Sequence, residues 1–324
     1  MTTFALPSFS PEIIEDRVAL AVREGLGSEP KKLPPWLFYD ETGSRLFDEI
    51  TERPEYYLTR TERGIFTRHA EAMIERAAQG KRLRIVELGA GSADKTRLLL
   101  NAAVAQQGAV IYEPVDVSAS ALRAAKRRIE REIVGARVLP QEMDYTRGLD
   151  LAETEDRQMV LYIGSSIGNF EPWEAEALLK MVRAALKPGD SVLLGVDQAK
   201  DESILLPAYD DAAGVTAAFN LNLLERLNRE LDAQFDPESF EHVVRWNPTE
   251  SRIEMHLASR IAQTVRIHAL DLQVSFREGE TIHTENSYKY LPGQAEELFE
   301  EAGFFPVGHW TDERGWFAVC LGRV

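Results

Sequence analysis

Short apolar runs alternate with amphipathic stretches through the middle of the chain. Each run is rich in β-branched residues and has the length of a buried strand, whereas the stretches between the runs repeat their apolar residues at helical spacing. Strands that alternate with helices in this way predict a parallel sheet covered by helices on both faces, which is a doubly wound α/β fold. The predicted strands are 83–88, 109–117, 137–141, 159–165 and 191–197.

The predicted helices between these strands lie at 94–106, 118–133 and 172–186, and Ser118 has the residue type and position of an N-cap. After Pro292 the pattern returns to a helix at 293–304 and an apolar strand at 315–323. We expect this last pair to rejoin the sheet. The sheet domain is therefore predicted to comprise two segments, 61–197 and 290–324.

Two segments do not follow the alternation, namely 1–60 and 198–289. The first contains helix-like pieces without a buried strand. The second begins with a mostly helical region at 201–247 and continues with strand-like segments at 252–259, 263–267 and 280–290. We expect the two segments to fold together as a mixed α+β lobe that binds a substrate.

The acidic composition makes some partners poor candidates. Fifty-three acidic and 37 basic residues give a formal charge of −16, which repels phosphate backbones and anionic lipid headgroups. We therefore expect no nucleic-acid or membrane partner. No apolar run has the length of a membrane span, and the start of the chain lacks the basic and apolar regions of a secretory signal, so a cytoplasmic protein is expected. We also expect a monomer. The single cysteine, Cys320, excludes an internal disulfide and a cysteine-based metal cluster, and its apolar surroundings predict an inert buried thiol.

The stretch "VELGAGSADKT" after the first predicted strand resembles a cofactor-binding turn. Gly89 and Gly91 allow a ligand to approach the backbone closely, because neither residue has a Cβ. A dinucleotide fingerprint requires a third glycine where this chain has Asp94, and an acid there disfavours a pyrophosphate. A cofactor without phosphates fits this turn better.

Acidic residues follow the next two predicted strands. Asp116 can accept hydrogen bonds from the vicinal hydroxyls of a ribose, and Asp144 with Tyr145 can bind and cover an adenine ring. This arrangement is similar to that of class I methyltransferases, whose Rossmann-like fold binds S-adenosylmethionine. A nicotinamide-dependent oxidoreductase remains the alternative, although no histidine falls in a strand-end motif.

Longer motifs extend the resemblance. The stretches "LPPWLFYDETGSRLFDEITERPEYYLTRTE", "VELGAGSADKTR", "YIGSSIGNF", "AYDDAAGVTAAFN" and "TENSYKY" are similar to those of the S-adenosylmethionine-dependent histidine Nα-methyltransferases, which make hercynine for ergothioneine biosynthesis. The resemblance extends from about residue 15 to the end of the chain. It implies three methyl transfers to the α-amine of L-histidine, without a metal, in a lobe that closes over the acceptor.

The resemblance also implies roles for individual residues. Tyr56, Asn169 and Tyr209 would bind the amino and carboxylate groups of the acceptor, and Glu285 with Ser287 would face its imidazole. On a strand, Glu285 and Ser287 would share one face. The other implied positions are Tyr39, Phe47, Gly164 and Met255 in the acceptor pocket, with Tyr39 and Asn169 as the catalytic pair, and Gly89, Gly91, Lys95, Asp116, Asp144 and Tyr145 around the donor.

Two further functions remain open at this point. A relative that methylates another amino acid would be expected to differ at Glu285 or Met255, so these two residues favour histidine. A sensor that binds S-adenosylmethionine or an amino acid would bind its ligand without turnover. Incubation with histidine and the methyl donor distinguishes these functions.

Overall fold

The computed structural model describes residues 11–91 and 93–324, with side chains from residue 17 onward. Residues 1–10, which belong to the predicted lobe, lie outside the described residues. Among the described residues, no helix has both the length and the apolar composition needed to span a bilayer.

The helices are α1 (Pro11–Leu26), α2 (Glu41–Thr51), α3 (Tyr57–Ala78), α4 (Thr96–Gln107), α5 (Ala119–Glu132), α6 (Pro172–Ala185), α7 (Glu202–Tyr209), α8 (Val215–Leu231) and α9 (Gln294–Glu301). The strands are β1 (Lys31–Lys32), β2 (Leu83–Leu88), β3 (Val110–Asp116), β4 (Ala136–Val138), β5 (Gln141–Glu142), β6 (Arg157–Tyr162), β7 (Ser191–Asp197), β8 (Phe240–Asn247), β9 (Arg252–Ser259), β10 (Gln263–Ile267), β11 (Leu272–Phe276), β12 (Thr281–Tyr288), β13 (Phe305–Thr311) and β14 (Phe317–Arg323).

The chain divides into two compact units. The core unit contains Leu58–Lys200 and Tyr288–Val324, and the second unit contains Asp201–Ser287 together with the residues up to Tyr57. The sequence-based division placed its boundaries after residues 60, 197 and 289. Each unit is thus formed from segments that are far apart in the chain.

The core unit contains a large sheet with the strand order β13-β14-β7-β6-β2-β3-β4, and β5 also pairs with β3. The strands from β7 to β4 pair in parallel, which confirms the predicted doubly wound fold. β14 rejoins the sheet as expected, but it is antiparallel to β7, and the unpredicted strand β13 is antiparallel to β14. This order, with β2 in the middle and an antiparallel hairpin at one edge, is that of a class I methyltransferase.

Alternating residues of the central strand pack on opposite faces of this sheet. Ile85 belongs to an apolar cluster with α3, α4 and α5, whereas Val86 belongs to a second cluster with α6 and α9. Helices therefore cover both faces, as the continuous apolar runs predicted. The predicted strand at 137–141 is divided into β4 and β5 around Pro140, which has no backbone N–H to donate.

The second unit contains a four-stranded sheet with the order β1-β12-β9-β8 and a separate β10–β11 hairpin. The prediction of a mostly helical region over 201–247 was wrong for its last part, because β8 pairs with β9 from Phe240 to Asn247. α7 and α8 account for the helical part, and α2 packs against α8. Gly43 allows α2 to begin, since a Cβ at this position would lie 1.7 Å from the carbonyl oxygen of Phe38.

Candidate active site

The strand order of the core sheet reverses between β2 and β6. From β2 the chain proceeds to β3 and β4 on one side, and then to β6 and β7 on the other. Ligands of open α/β sheets bind beyond the carboxyl ends of the strands at such a reversal. Two sequence-predicted regions lie there, because Gly89 and Gly91 follow β2, and Gly164 and Asn169 follow β6.

The glycine turn after β2 is held against the end of β3. Gly89 and Gly91 have φ angles of 69° and 49°, in the left-handed region that glycine tolerates best. The N–H of Gly89 donates to the carbonyl of Val115 at 2.9 Å, and the N–H of Gly91 donates to Asp116 Oδ2 at 3.1 Å. A Cβ at Gly89 would lie 3.5 Å from the hydroxyl oxygen of Tyr145. The structure thus brings together four of the six residues predicted for the donor: Gly89, Gly91, Asp116 and Tyr145.

Two backbone amides orient the Asp116 carboxylate. The first is the N–H of Gly91, and the second is the N–H of Ser118, which donates to Oδ1 at 2.9 Å. A carboxylate has about four acceptor positions, so lone pairs remain on both oxygens. The group is therefore fixed in place and can still accept hydrogen bonds from two neighbouring hydroxyls.

Asp144 and Tyr145 begin a 3-10 turn that extends to Arg147. Asp144 Oδ1 accepts hydrogen bonds from the N–H and the hydroxyl of Thr146, at 3.1 and 2.5 Å. The Tyr145 ring lies edge-on to Tyr162, with 6.0 Å between the ring centroids. Burial raises the pKa of the Tyr145 hydroxyl, which therefore stays protonated. The turn follows β5, which pairs with the end of β3 at Asp116, so the ring of Tyr145 and the carboxylate of Asp144 lie close along the chain to that strand end.

Lys95 has a partner that the sequence analysis did not identify. Its ammonium forms an ion pair with Glu62, a side chain that is fully buried. The other oxygen of Glu62, Oε1, accepts a hydrogen bond from the N–H of Gly164 at 2.8 Å. Glu62 also packs closely on Gly195, because a Cβ at that position would lie 2.2 Å from Oε1. Glu62 therefore connects Lys95 to the turn after β6. Glu62 ends the "LPPWLFYDETGSRLFDEITERPEYYLTRTE" motif, but it belongs to α3 rather than to a strand end, so the strand-end rule does not identify it.

The two acidic residues of the "VELGAGSAD" stretch, Glu87 and Asp94, form hydrogen bonds or ion pairs within the core unit. Glu87 accepts hydrogen bonds from the Thr96 hydroxyl at 2.7 Å and from the Tyr112 hydroxyl, and burial raises its pKa to about 7. Asp94 pairs with Arg97 of α4 at 2.8 Å and lies 3.8 Å from Arg128 of α5. Glu87 thus attaches β2 to the start of α4, and Asp94 attaches α4 to α5.

The "SSIGNF" stretch forms a compact turn after β6. Ser165 is buried with a φ of 62°, and its hydroxyl accepts the N–H of Asp197 at 2.9 Å. Gly168 lies so close to the backbone of Tyr288 that a Cβ there would be 2.8 Å from the Tyr288 carbonyl oxygen. The 3-10 turn ends at Asn169, whose side chain is half-buried. The surrounding contacts therefore fix the backbone from which this amide projects.

Three of the predicted acceptor residues form an aromatic cluster in the second unit. Phe47 lies between Tyr39 and Tyr56, with ring centroids 5.7 and 6.2 Å away. Phe219 of α8, which was not predicted, contacts Phe47 and Tyr39 at 6.0 and 5.8 Å. Tyr39 is 44% exposed, whereas Tyr56 is buried. The cluster therefore has one accessible aromatic edge.

The other predicted acceptor residues of this unit lie on or beside its sheet. The hydroxyls of Tyr209 and Ser287 are 2.7 Å apart, and both side chains are buried. Ser287 and the half-buried Glu285 are alternate residues of β12, which places them on one face of the strand. Met255 is buried on β9, and its carbonyl accepts the Thr284 hydroxyl at 3.0 Å.

A polar network of Asn220 and His242 binds the backbone carbonyl of Tyr209. The amide nitrogen of Asn220 donates to His242 Nδ1 at 2.8 Å, so Nε2 carries the ring proton and donates it to the carbonyl of Tyr209 at 2.8 Å. Burial lowers the pKa of His242, which keeps the ring neutral. Neither residue was predicted from the sequence, although Asn220 ends the "AYDDAAGVTAAFN" motif. Their role becomes visible only when α8 packs on β8.

The predicted acceptor residues are distributed between the two units. Gly164 and Asn169 belong to the core unit, together with all the predicted donor residues. The second unit contains Tyr39, Phe47, Tyr56, Tyr209, Met255, Glu285 and Ser287.

Comparison with known proteins identifies the family. The model of the family described as "Histidine-specific methyltransferase, SAM-dependent" matches residues 18–324. The chain is 46% identical to a histidine N-alpha-methyltransferase of Mycolicibacterium smegmatis, over 93% of this chain and 92% of that protein. It is 43% identical to the histidine N-alpha-methyltransferase of Mycobacterium tuberculosis, over 95% and 96% of the two chains. It is also 31% identical to ergothioneine biosynthesis protein 1 of Neurospora crassa, over 91% of this chain and 34% of that larger protein. The chain therefore belongs to the family of histidine-specific, S-adenosylmethionine-dependent methyltransferases.

Proposed function

We propose that this protein transfers three methyl groups from S-adenosylmethionine to the α-amino group of L-histidine and forms hercynine, a precursor of ergothioneine. The observation that carries this proposal is the 46% identity, over 93% of the chain, to a relative named for histidine N-alpha-methylation. The similarity to ergothioneine biosynthesis protein 1 supports the assignment to that pathway.

The donor is assigned to the end of the core sheet where the strand order reverses. Asp116 accepts the two ribose hydroxyls, for which its lone pairs remain available. Tyr145 covers the adenine ring, and Asp144 accepts a hydrogen bond from the amino group of the adenine. Gly89 and Gly91 let the donor approach the backbone, and Lys95 uses a second N–H to bind the carboxylate of the donor while it remains paired with Glu62.

S-adenosylmethionine supplies a methyl group that is already activated by the sulfonium. The residues of the chain therefore have to align the acceptor nitrogen with that methyl group and exclude water. The amine attacks in its neutral form. An α-amino group has a reference pKa of roughly 8 in peptides, so roughly a tenth of it is already neutral near pH 7, and no strong base is needed. No step of this scheme requires a metal ion.

The imidazole of the acceptor is assigned to Glu285 and Ser287. A carboxylate accepts one imidazole N–H, and a hydroxyl serves the other ring nitrogen. The hydrogen bond between Tyr209 and Ser287 fixes the direction in which the serine hydroxyl points. Met255 forms an apolar wall, since it is buried on the neighbouring strand.

The family resemblance assigns the amine and carboxylate of the acceptor to Asn169, Tyr56 and Tyr209, and it assigns Gly164 to the acceptor pocket. The product has a fixed positive charge, and an aromatic face stabilises such a cation by about 0.5 to 2 kcal/mol. Tyr39 and Phe47 supply these faces, and Tyr39 with Asn169 directs the lone pair of the amine towards the methyl group. These contacts favour the increasingly methylated ammonium over free histidine.

The test is a single incubation of the protein with S-adenosylmethionine and L-histidine, followed by mass spectrometry. The proposal predicts products that carry one, two and finally three additional methyl groups, all on the α-nitrogen. Methylation of an imidazole nitrogen, or binding of both ligands without any product, would refute it.

A further inference from the structure

A second cluster of ligating side chains lies at the sheet edge of the core unit, away from the strand-order reversal. Glu296 of α9, His309 of β13 and Cys320 of β14 place one ligating atom each within 4.8 Å of one another. His309 and Cys320 are register partners in the antiparallel ladder, so their side chains lie on the same face of the sheet. α9 packs against that face and brings Glu296 to the pair. Three elements therefore converge on one point.

We propose that Glu296, His309 and Cys320 bind a divalent metal ion of the Zn²⁺ type, with water in the fourth position. Thiolate, imidazole and carboxylate are the three ligand types that Zn²⁺ accepts in proteins, and three protein ligands with one water form a common coordination set. One thiolate and one carboxylate would neutralise the double charge of the ion.

The distances between the ligand atoms fit a tetrahedral ion. With a metal–sulfur bond of about 2.3 Å and a metal–nitrogen bond of about 2.0 Å, tetrahedral geometry separates the two ligand atoms by about 3.5 Å. Cys320 Sγ and His309 Nδ1 are 3.5 Å apart, and Cys320 Sγ is 3.9 Å from Glu296 Oε1. His309 Nδ1 and Glu296 Oε1 form a hydrogen bond with each other. An ion would replace this bond, and the two atoms would move apart to about 3.3 Å.

An unsatisfied polar atom supports the proposal independently. Glu296 Oε2 is buried and has no hydrogen-bond partner among the described residues. Such an atom costs free energy unless a cation or a donor reaches it. His309 remains 40% exposed on the outermost strand of the sheet, so an ion can enter from solvent. The site is thus accessible on one side and polar on the other.

Binding of the ion would move protons in a defined way. The Cys320 thiol is buried, and a thiol binds Zn²⁺ only as the thiolate. On binding, the thiol proton leaves to solvent, the sulfur binds as thiolate, and His309 binds through the Nδ1 lone pair with its proton on Nε2. The site would then hold α9 to the β13–β14 hairpin, which predicts an effect on stability rather than on methyl transfer.

The test uses Co²⁺ as an optical probe and the full-length chain without a tag. Cys320 is the only cysteine in the sequence, so a thiolate-to-cobalt charge-transfer band can arise from no other residue. We expect one Co²⁺ per chain with this band, displacement of Co²⁺ by Zn²⁺, and a higher melting temperature in Zn²⁺. Cys320→Ser should abolish the band.

Variants of the two other ligands keep the test valid if Cys320→Ser fails to fold. Loss of a group that only orients a metal ligand weakens metal affinity by roughly 10- to 100-fold. His309→Ala and Glu296→Gln each change a ligand itself, so each should weaken Zn²⁺ affinity by more than that. His268→Ala removes an exposed histidine of the second unit and should change nothing. The proposal is overturned if saturating Co²⁺ gives no charge-transfer band, or if His309→Ala and Glu296→Gln bind the ion as tightly as the parent chain.

Discussion

The hydroxyl oxygens of Tyr209 and Ser287 lie 2.7 Å apart between two buried side chains, although 78 positions separate the residues in the sequence. One hydroxyl donates to the other, so at most one of the two protons can be donated to a ligand. Tyr209→Phe should therefore raise the KM for histidine by about 2- to 10-fold, the usual effect of one neutral hydrogen bond, and leave the Kd for S-adenosylmethionine unchanged.

A double-mutant cycle checks this reading of the pair. Ser287→Ala should have an effect similar to that of Tyr209→Phe, and the double variant should be less impaired than the product of the two single effects. Tyr290→Phe, which removes the hydroxyl of a half-buried tyrosine of the core unit, is the control. Strict multiplication of the single effects on KM would mean that the two hydroxyls act separately.

Asp116 should determine the affinity for the donor. Asp116→Asn removes one of the acceptor oxygens that the amides of Gly91 and Ser118 hold in place, so the Kd for S-adenosylmethionine should rise by roughly 10- to 100-fold. Asp94→Asn is the matched control, because Asp94 belongs to the same turn but pairs with Arg97. Calorimetric titration measures both variants. Equal donor affinity in the Asp116 and Asp94 variants would contradict the ribose assignment.

Glu285 should determine the affinity for the acceptor. Glu285→Ala leaves the imidazole N–H without its acceptor, so kcat/KM for histidine should fall by roughly 100-fold while donor binding persists. Glu278→Ala removes an exposed carboxylate just before the same strand and should be neutral. Steady-state kinetics and calorimetry together measure the two affinities. A parallel loss of donor and acceptor binding would show that Glu285 maintains the fold instead.

Glu87 should make stability depend on pH. Burial raises its pKa from 4.5 to about 7, so the folded chain holds this proton more tightly than the unfolded chain does. Its stabilisation is therefore present below the unfolded pKa and is lost as the pH rises towards 7, by an amount on the order of 2 to 3 kcal/mol. Urea unfolding between about pH 4.5 and pH 7.5 should show a steeper decline in the parent chain than in Glu87→Gln. Parallel curves for the two proteins would contradict this assignment of the proton.

The sequence patterns predicted the core sheet better than the second unit. β2, β3, β6 and β7 are buried on both faces, so continuous apolar runs marked them within a few residues. β8, β11 and β13 were missed because each mixes buried and exposed positions and contains few consecutive apolar residues. Their pairing with neighbouring strands, rather than local preference, determines their structure.

Strand-end motifs identified the donor site more completely than the acceptor site. Gly89, Gly91, Asp116 and Tyr145 come together because parallel strands end at one edge, a rule that can be applied to sequence alone. Glu62, Phe219 and His242 could not be found in this way, since each lies in a helix or strand whose partner is distant in the chain. The resemblance to a family supplied the acceptor residues, and their roles remain proposals.

The proposed reaction requires the α-amine of histidine as the acceptor. The most direct measurement is a competition in which the protein receives S-adenosylmethionine and an equimolar mixture of the common amino acids, and every methylated product is identified by mass spectrometry. We predict that histidine alone is converted, finally to its trimethylated form. Faster conversion of any other amino acid, or accumulation of a monomethylated histidine that is never converted further, would contradict the account.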